Sequence, residues 1–107
     1  MIDTNAESSF LHQERSAMES YVKNFQQNPK ELKQQKKIVK ALIELVKIHT
    51  KIQTLADEKY SLTIYQELSS LVGLPIKVYK DKWVKKHQEF MKQCNLYKQK
   101  KKAYEKL

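Results

Sequence analysis

The chain has one glycine, two prolines and one cysteine, and its only arginine is Arg15. Each scarcity excludes something. All-β folds need many turns with positive φ, which one glycine cannot supply. Glycine-rich phosphate loops are excluded for the same reason. Cys94 alone cannot form an intramolecular disulfide, and a lone thiol fits a reducing compartment. Long apolar runs are missing too. The longest, Ile38 to Ile48, is interrupted by Lys40, Glu44 and Lys47, well short of the roughly 18 apolar residues of a membrane span. The first residues carry Asp3, Glu7, Glu14 and Glu19 without an apolar core, so no signal peptide is expected and the expected location is cytoplasmic, or nuclear in a eukaryotic host.

What remains is rich in Lys, Gln, Glu and Leu, the composition of helices. The 107 residues suit one domain. The net charge of +9 is unevenly spread. Residues 1–28 sum to −2, residues 29–58 to +3, residues 59–73 to zero and residues 74–107 to +8. Such a balance points to a polyanion or an acidic protein as partner. Because the positive charge is almost all lysine, contact with nucleic acid would rest on phosphate electrostatics and not on the bidentate base reading that arginine provides.

The spacing of apolar residues predicts an all-α fold, a small bundle of three long helices and one short helix, as a single domain over residues 1–107. The first helix is expected from about Ser9 to Gln27, capped by Ser8 or Ser9, with Leu11, Met18 and Phe25 recurring every seven residues. Asn28-Pro29-Lys30-Glu31 reads as a capping box opening a second helix, from about Pro29 to Ala56. The seven-residue beat continues through Leu32, Val39 and Val46. Asp57 to Leu62 reads as a loop, and Thr63 with Gln66 as the cap of a short third helix over Ile64 to Val72. Gly73 suits a left-handed helix end, and Pro75 starts a fourth helix reaching Tyr104. There Ile76, Trp83, Phe90, Tyr97 and Tyr104 repeat every seven residues. Its basic end, residues 98–107, is expected to fray or project. The expected core is Leu11, Met18, Phe25, Leu32, Val39, Leu42, Val46, Trp83 and Phe90. The narrow seams also allow a homodimer.

Leu68-Ser69-Ser70-Leu71-Val72-Gly73-Leu74-Pro75-Ile76-Lys77-Val78-Tyr79 resembles a helix-turn-helix, with small Ser69, Gly73 in the turn, and Leu68, Val72, Leu74 and Tyr79 as locking residues. The resemblance implies a corner at 64–80 with Lys77, Lys80 and Asp81 facing a groove. The plainer alternative is that Gly-Leu-Pro only stops one helix and starts the next. Tyr79, Trp83 and Phe90 interleave with lysines, as in single-strand binders, but their helical spacing is that of a buried face. A basic amphipathic helix can also lie on anionic lipid. Packing explains the aromatic side as well, so no membrane partner is expected.

No catalytic constellation is legible. His12, His49, His87 and Cys94 show no ligand spacing, so no metal or cofactor is expected. No base and orienting group accompany a nucleophile, and the chain is expected not to be an enzyme. The functional expectation is a nucleic-acid-associated protein, for DNA or RNA. It would contact phosphates through Lys77, Lys80, Lys82, Lys85, Lys86 and Lys92 of the last helix and Lys33, Lys36, Lys37 and Lys40 of the second. The alternative is a helical adaptor, inhibitor or immunity-type protein that engages an acidic protein partner.

Overall fold

In the computed structural model, which describes residues 4–28 and 30–107, the chain folds into α1 (Thr4–Gln27), α2 (Leu32–Leu71) and α3 (Lys77–Glu105). The described residues contain no strand. The molecule measures 63 × 19 × 15 Å. Its long axis is set by α2, whose 40 residues span about 60 Å at 1.5 Å per residue.

α2 and α3 pack as an antiparallel hairpin along their full length. Tyr65 stacks near Tyr79 with ring centroids 5.6 Å apart, Glu58 pairs with Lys86, and Glu44 pairs with Lys100 at 3.2 Å. These levels fall at seven- or fourteen-residue intervals on both helices, the register of lengthwise coiled-coil-like packing. The turn is a Schellman motif. Leu74 N–H reaches back to the Ser69 carbonyl and Gly73 N–H to that of Ser70, with Gly73 at φ +72°. This geometry replaces the helix-turn-helix corner, which needs two short helices crossing at a steep angle.

The expected break at Asp57–Leu62 does not occur. No glycine or proline stands between Asp57 and Thr63, and the hydroxyls read as caps are absorbed within the helix. Thr63 Oγ1 donates to the Lys59 carbonyl at 3.0 Å, as Thr50 and Thr54 do to Val46 and Thr50. The short third helix is thus the last part of α2. Asn28 does not cap α2 either. Its amide donates back to the carbonyl and side chain of Asn24, and Glu31 holds the N-cap position without a side-chain bond. Pro29, the rest of that expected box, lies outside the described residues. α1 begins earlier than expected, and α3 begins later, at Lys77 with Ile76 as N-cap. α3 stays helical to Glu105, and Tyr104 packs on Tyr21 at 4.6 Å between centroids.

The core runs along Ile38, Leu42, Leu45, Ile48, Ile52, Leu55 and Leu62 of α2, against Phe90, Cys94 and Tyr97 of α3 and Met18 of α1. Leu11 and Phe25 pack on it, and Trp83 is half-buried. Leu32, Val39 and Val46, expected inside, face solvent. The seven-residue beat of α1 stops at the Asn28 break. α2 starts its own seam one residue earlier in phase, on Ile38, Leu45, Ile52 and Lys59.

α1 lies in the lower part of the groove between α2 and α3, held by polar rungs seven residues apart. Glu7 binds Lys59. Glu14 accepts from Tyr97 Oη at 3.2 Å and Lys101 Nζ at 2.8 Å, and Tyr21 Oη donates to Glu105 at 2.9 Å. Burial and the bond to Glu105 push the Tyr21 phenol up to about 12. Burial first, then the Glu14 charge, raises that of Tyr97. His49, also buried, donates Nε2–H to the Leu11 carbonyl at 2.9 Å.

The uppermost rung is the least ordinary. Lys59, in the segment expected to be a loop, is 2 % exposed. Its ammonium meets the Glu7 carboxylate and His87 Nδ1 at 2.9 Å, and lies 4.0 Å from the Phe90 ring centroid and 5.1 Å from that of Trp83. His87 stacks on Trp83 at 4.7 Å. Burial, then the Lys59 charge, lowers the His87 pKa, with Glu7 opposing. Its neutral Nδ1 is therefore free to accept.

Three outcomes follow. Leu45→Ala costs about 2–5 kcal/mol by urea unfolding, whereas Val46→Ala stays within about 0.5 kcal/mol. Glu7→Gln, which leaves the buried ammonium without its counter-charge, costs about 3–5 kcal/mol, while Lys59→Met is far milder. Because the folded state resists protonating His87, the unfolded chain takes up that proton first as pH falls. Stability is full above the ordinary histidine value of about 6.5 and declines below it until the lowered native value is passed. The urea midpoint of the wild type therefore drops between about pH 7.5 and 5.5 by more than that of His87→Gln.

Candidate nucleic-acid interface

The seven-residue register gives the hairpin two sides. One holds α1, through His49 and Gln53 of α2 and through Tyr97, Lys101 and Glu105 of α3. The other side is open. On α2 it carries the rows Lys33, Lys40, Lys47 and Lys37, Glu44, Lys51, Glu58, each in seven-residue steps. On α3 it carries Lys82 with Glu89, Lys85 with Lys92, and Lys86 with Lys100, in steps of seven or fourteen. All ten lysines are exposed or half-exposed.

Since the helices are antiparallel, the lysines of α2 occupy one end of this side and most of those of α3 the other. Lys33 to the level of Lys82, beside Leu62, spans about 45 Å at 1.5 Å per residue. Glu44 and Glu58 are engaged by Lys100 and Lys86, and Glu89 accepts from Gln93 at 3.1 Å. Lys86 and Glu58 are each about 40 % exposed, so the pairs are solvated and weak. The acids of α1 lie elsewhere, with Glu7 and Glu14 turned into the bundle.

Of the residues singled out from the sequence, Lys33, Lys37, Lys40, Lys82, Lys85, Lys86 and Lys92 share this side. Lys36 lies on the outer edge of α2. Lys77 and Lys80 ring the start of α3, near the hairpin tip. Lys47, Lys51 and Lys100 were not singled out, although Lys47 and Lys51 continue the seven-residue rows of Lys33 and Lys37. The lysines of residues 98–106 come beside those of 30–40, where Gln34 donates to the Leu107 carbonyl at 3.4 Å.

Tyr97 and Phe90 are buried and Trp83 is half-buried and stacked on His87, so none of the three offers a free face for a base. Tyr79 packs on the exposed Tyr65 at the tip end of this side, beyond the lysine rows. Among the described residues no three His, Cys, Asp or Glu side chains converge as metal ligands. Cys94 is buried, and desolvation raises its thiol pKa. An open cleft of about 370 Å³ between α1 and α2 is lined by Glu7, His12, Arg15, Asp57 and Tyr60 among others, with charges of both signs.

No family model, curated protein or solved structure matches the chain.

Neutralising Glu44 or Glu58 to Gln changes stability by less than about 1 kcal/mol in urea unfolding, because both ion pairs are solvated.

Proposed function

We propose that the chain is a non-catalytic nucleic-acid-binding protein whose lysine-covered hairpin side lies along a phosphate backbone. One observation carries the reading: ten lysines against three glutamates on one side of the rod, with two of those glutamates held by weak pairs. A side about 45 Å long matches a little more than one turn of duplex DNA, about 34 Å. The charge is spread evenly with no apolar or aromatic centre. That suits a polyanion better than a protein partner, whose interface core is depleted in charge and enriched in aromatics. Binding is driven by counterion release and is weakly selective for sequence.

The test is a titration of duplex and single-stranded oligonucleotides at several salt concentrations. The quadruple variant K40A/K47A/K51A/K92A lowers the slope of log K against log salt by about 3–4, because each lysine displaces close to one counterion. K77A/K80A, off this side, changes it by about half as much or less. Glu44→Gln with Glu58→Gln moves the slope the opposite way, releasing Lys100 and Lys86 to phosphates. Absence of binding to DNA and RNA at low salt would sink the reading.

A further inference from the structure

Among the described residues the contacts of α1 with the hairpin end at Glu7 and Lys59, and about three turns of α2 and α3 project beyond that level as a two-helix tip. The tip is apolar where it is most exposed. Leu71 and Val72 are 81 % and 73 % exposed, the highest values of any large apolar residues among those described, and Leu68, Leu74 and Val78 exceed half. They surround the turn at the end of a 63 Å rod, where Leu71 and Ile76 also line a wide-open cleft with Gln66, Glu67 and Ser70. None of these side chains belongs to the core formed by the described residues, and a cluster of this kind marks an interaction site.

We propose that this turn is an insertion tip for an anionic lipid bilayer, independent of the nucleic-acid side. Two features favour a bilayer over a protein groove. First, Lys77 and Lys80 stand within about two turns behind the apolar residues, the level at which lipid phosphates meet a shallowly inserted segment, and with Lys82 they outnumber Glu67 and Asp81, the acids of the tip. Second, the backbone suits the two layers. The N–H groups of Gly73 and Leu74 are satisfied inside the turn, and Pro75 has none. No side chain caps the start of α3, so the N–H groups of its first turn sit among those lysines, facing the headgroup layer. The apolar aromatic face of the long helix, which first raised a lipid surface in the sequence, is buried. The lipid-facing set is a different one.

The experiment uses the full chain with vesicles of phosphatidylcholine alone and of phosphatidylcholine containing about one-third phosphatidylglycerol. The wild type co-sediments with the anionic vesicles and much less with the neutral ones. L71S/L74S lowers anionic-vesicle affinity at least about tenfold, since each leucine loses partial burial in hydrocarbon. It keeps its helical circular dichroism and its oligonucleotide affinity. K77Q and K80Q each weaken anionic binding about fivefold. A Leu74→Trp reporter shifts to the blue and is quenched by brominated acyl chains. The proposal is overturned if no anionic vesicle is bound at low salt, the result expected of a tip that fits a protein pocket. It is equally overturned if L71S/L74S binds as the wild type, which would assign adsorption to the lysine side alone, or if the Leu74→Trp emission stays that of water. Loss of oligonucleotide binding with vesicle binding intact would fell the other proposal and leave this one standing.

Discussion

The ammonium of Lys59 is the point on which the arrangement of the three helices depends. A charge in an apolar core is tolerated only when its partners are in place. Here they come from different helices: Glu7 from α1, and His87 with the ring faces of Trp83 and Phe90 from α3. Sliding α3 by one seven-residue step would keep most apolar contacts in register but put Lys80 or Cys94 where His87 meets the ammonium, and sliding α1 could bring Glu14 to Lys59 only by taking it from Tyr97 and Lys101. Leucine and isoleucine seams are permissive about such slips, and the charge is not. The long lysine stem lies among apolar neighbours while its head finds the carboxylate.

That constraint also shapes the surface. Two acids of α1, Glu7 and Glu14, are consumed in holding α1 to the hairpin. They lie on the side of the bundle away from the open lysine rows and cannot neutralise them. The +9 charge is therefore segregated by face and not merely by position along the chain. Lysines that are distant in sequence, such as Lys51 and Lys92, meet at the same level because α2 and α3 are antiparallel. The field of such a face is felt beyond contact distance and decays over about 8–10 Å in physiological salt.

Much of this was legible in the residues. The helical content, the stop after Gln27, the left-handed Gly73 and the buried aromatic seam of α3 follow from composition, spacing and one glycine. The continuity of α2 was not legible. Asp57-Glu58-Lys59-Tyr60-Ser61 has the polarity of a loop, and only tertiary structure turns its lysine inward. Thr63 has the chemistry of a cap, and the same hydroxyl serves equally well bonding to a carbonyl four residues back. Val39 and Val46 lost to Ile38 and Leu45 because the beat of α1 carries no information across a break in the chain. The two lysine clusters were visible as clusters. That Lys33, Lys37 and Lys40 lie at one end of a side and Lys82, Lys85, Lys86 and Lys92 toward the other, and not in one patch, required knowing that the second helix runs unbroken into the turn.

The two proposed surfaces are arranged so that they need not compete. The tip is at the end of the rod and the lysine rows run along its side, with Lys82 near the junction. A nucleic acid laid along those rows would bring its own negative charge toward an anionic bilayer. Phosphates more than about 10 Å from the headgroup plane are screened from it at physiological salt. Most of a side about 45 Å long lies beyond that distance when the rod stands on its tip. Only the levels near Lys82 and Lys85 fall within it, and there the lysines themselves offset the repulsion. Low salt lengthens the screening distance and strengthens each contact separately, while also raising the repulsion between the two anions. Joint occupancy is therefore less sensitive to salt than the two contacts added together, because the term that opposes it is screened along with the terms that favour it.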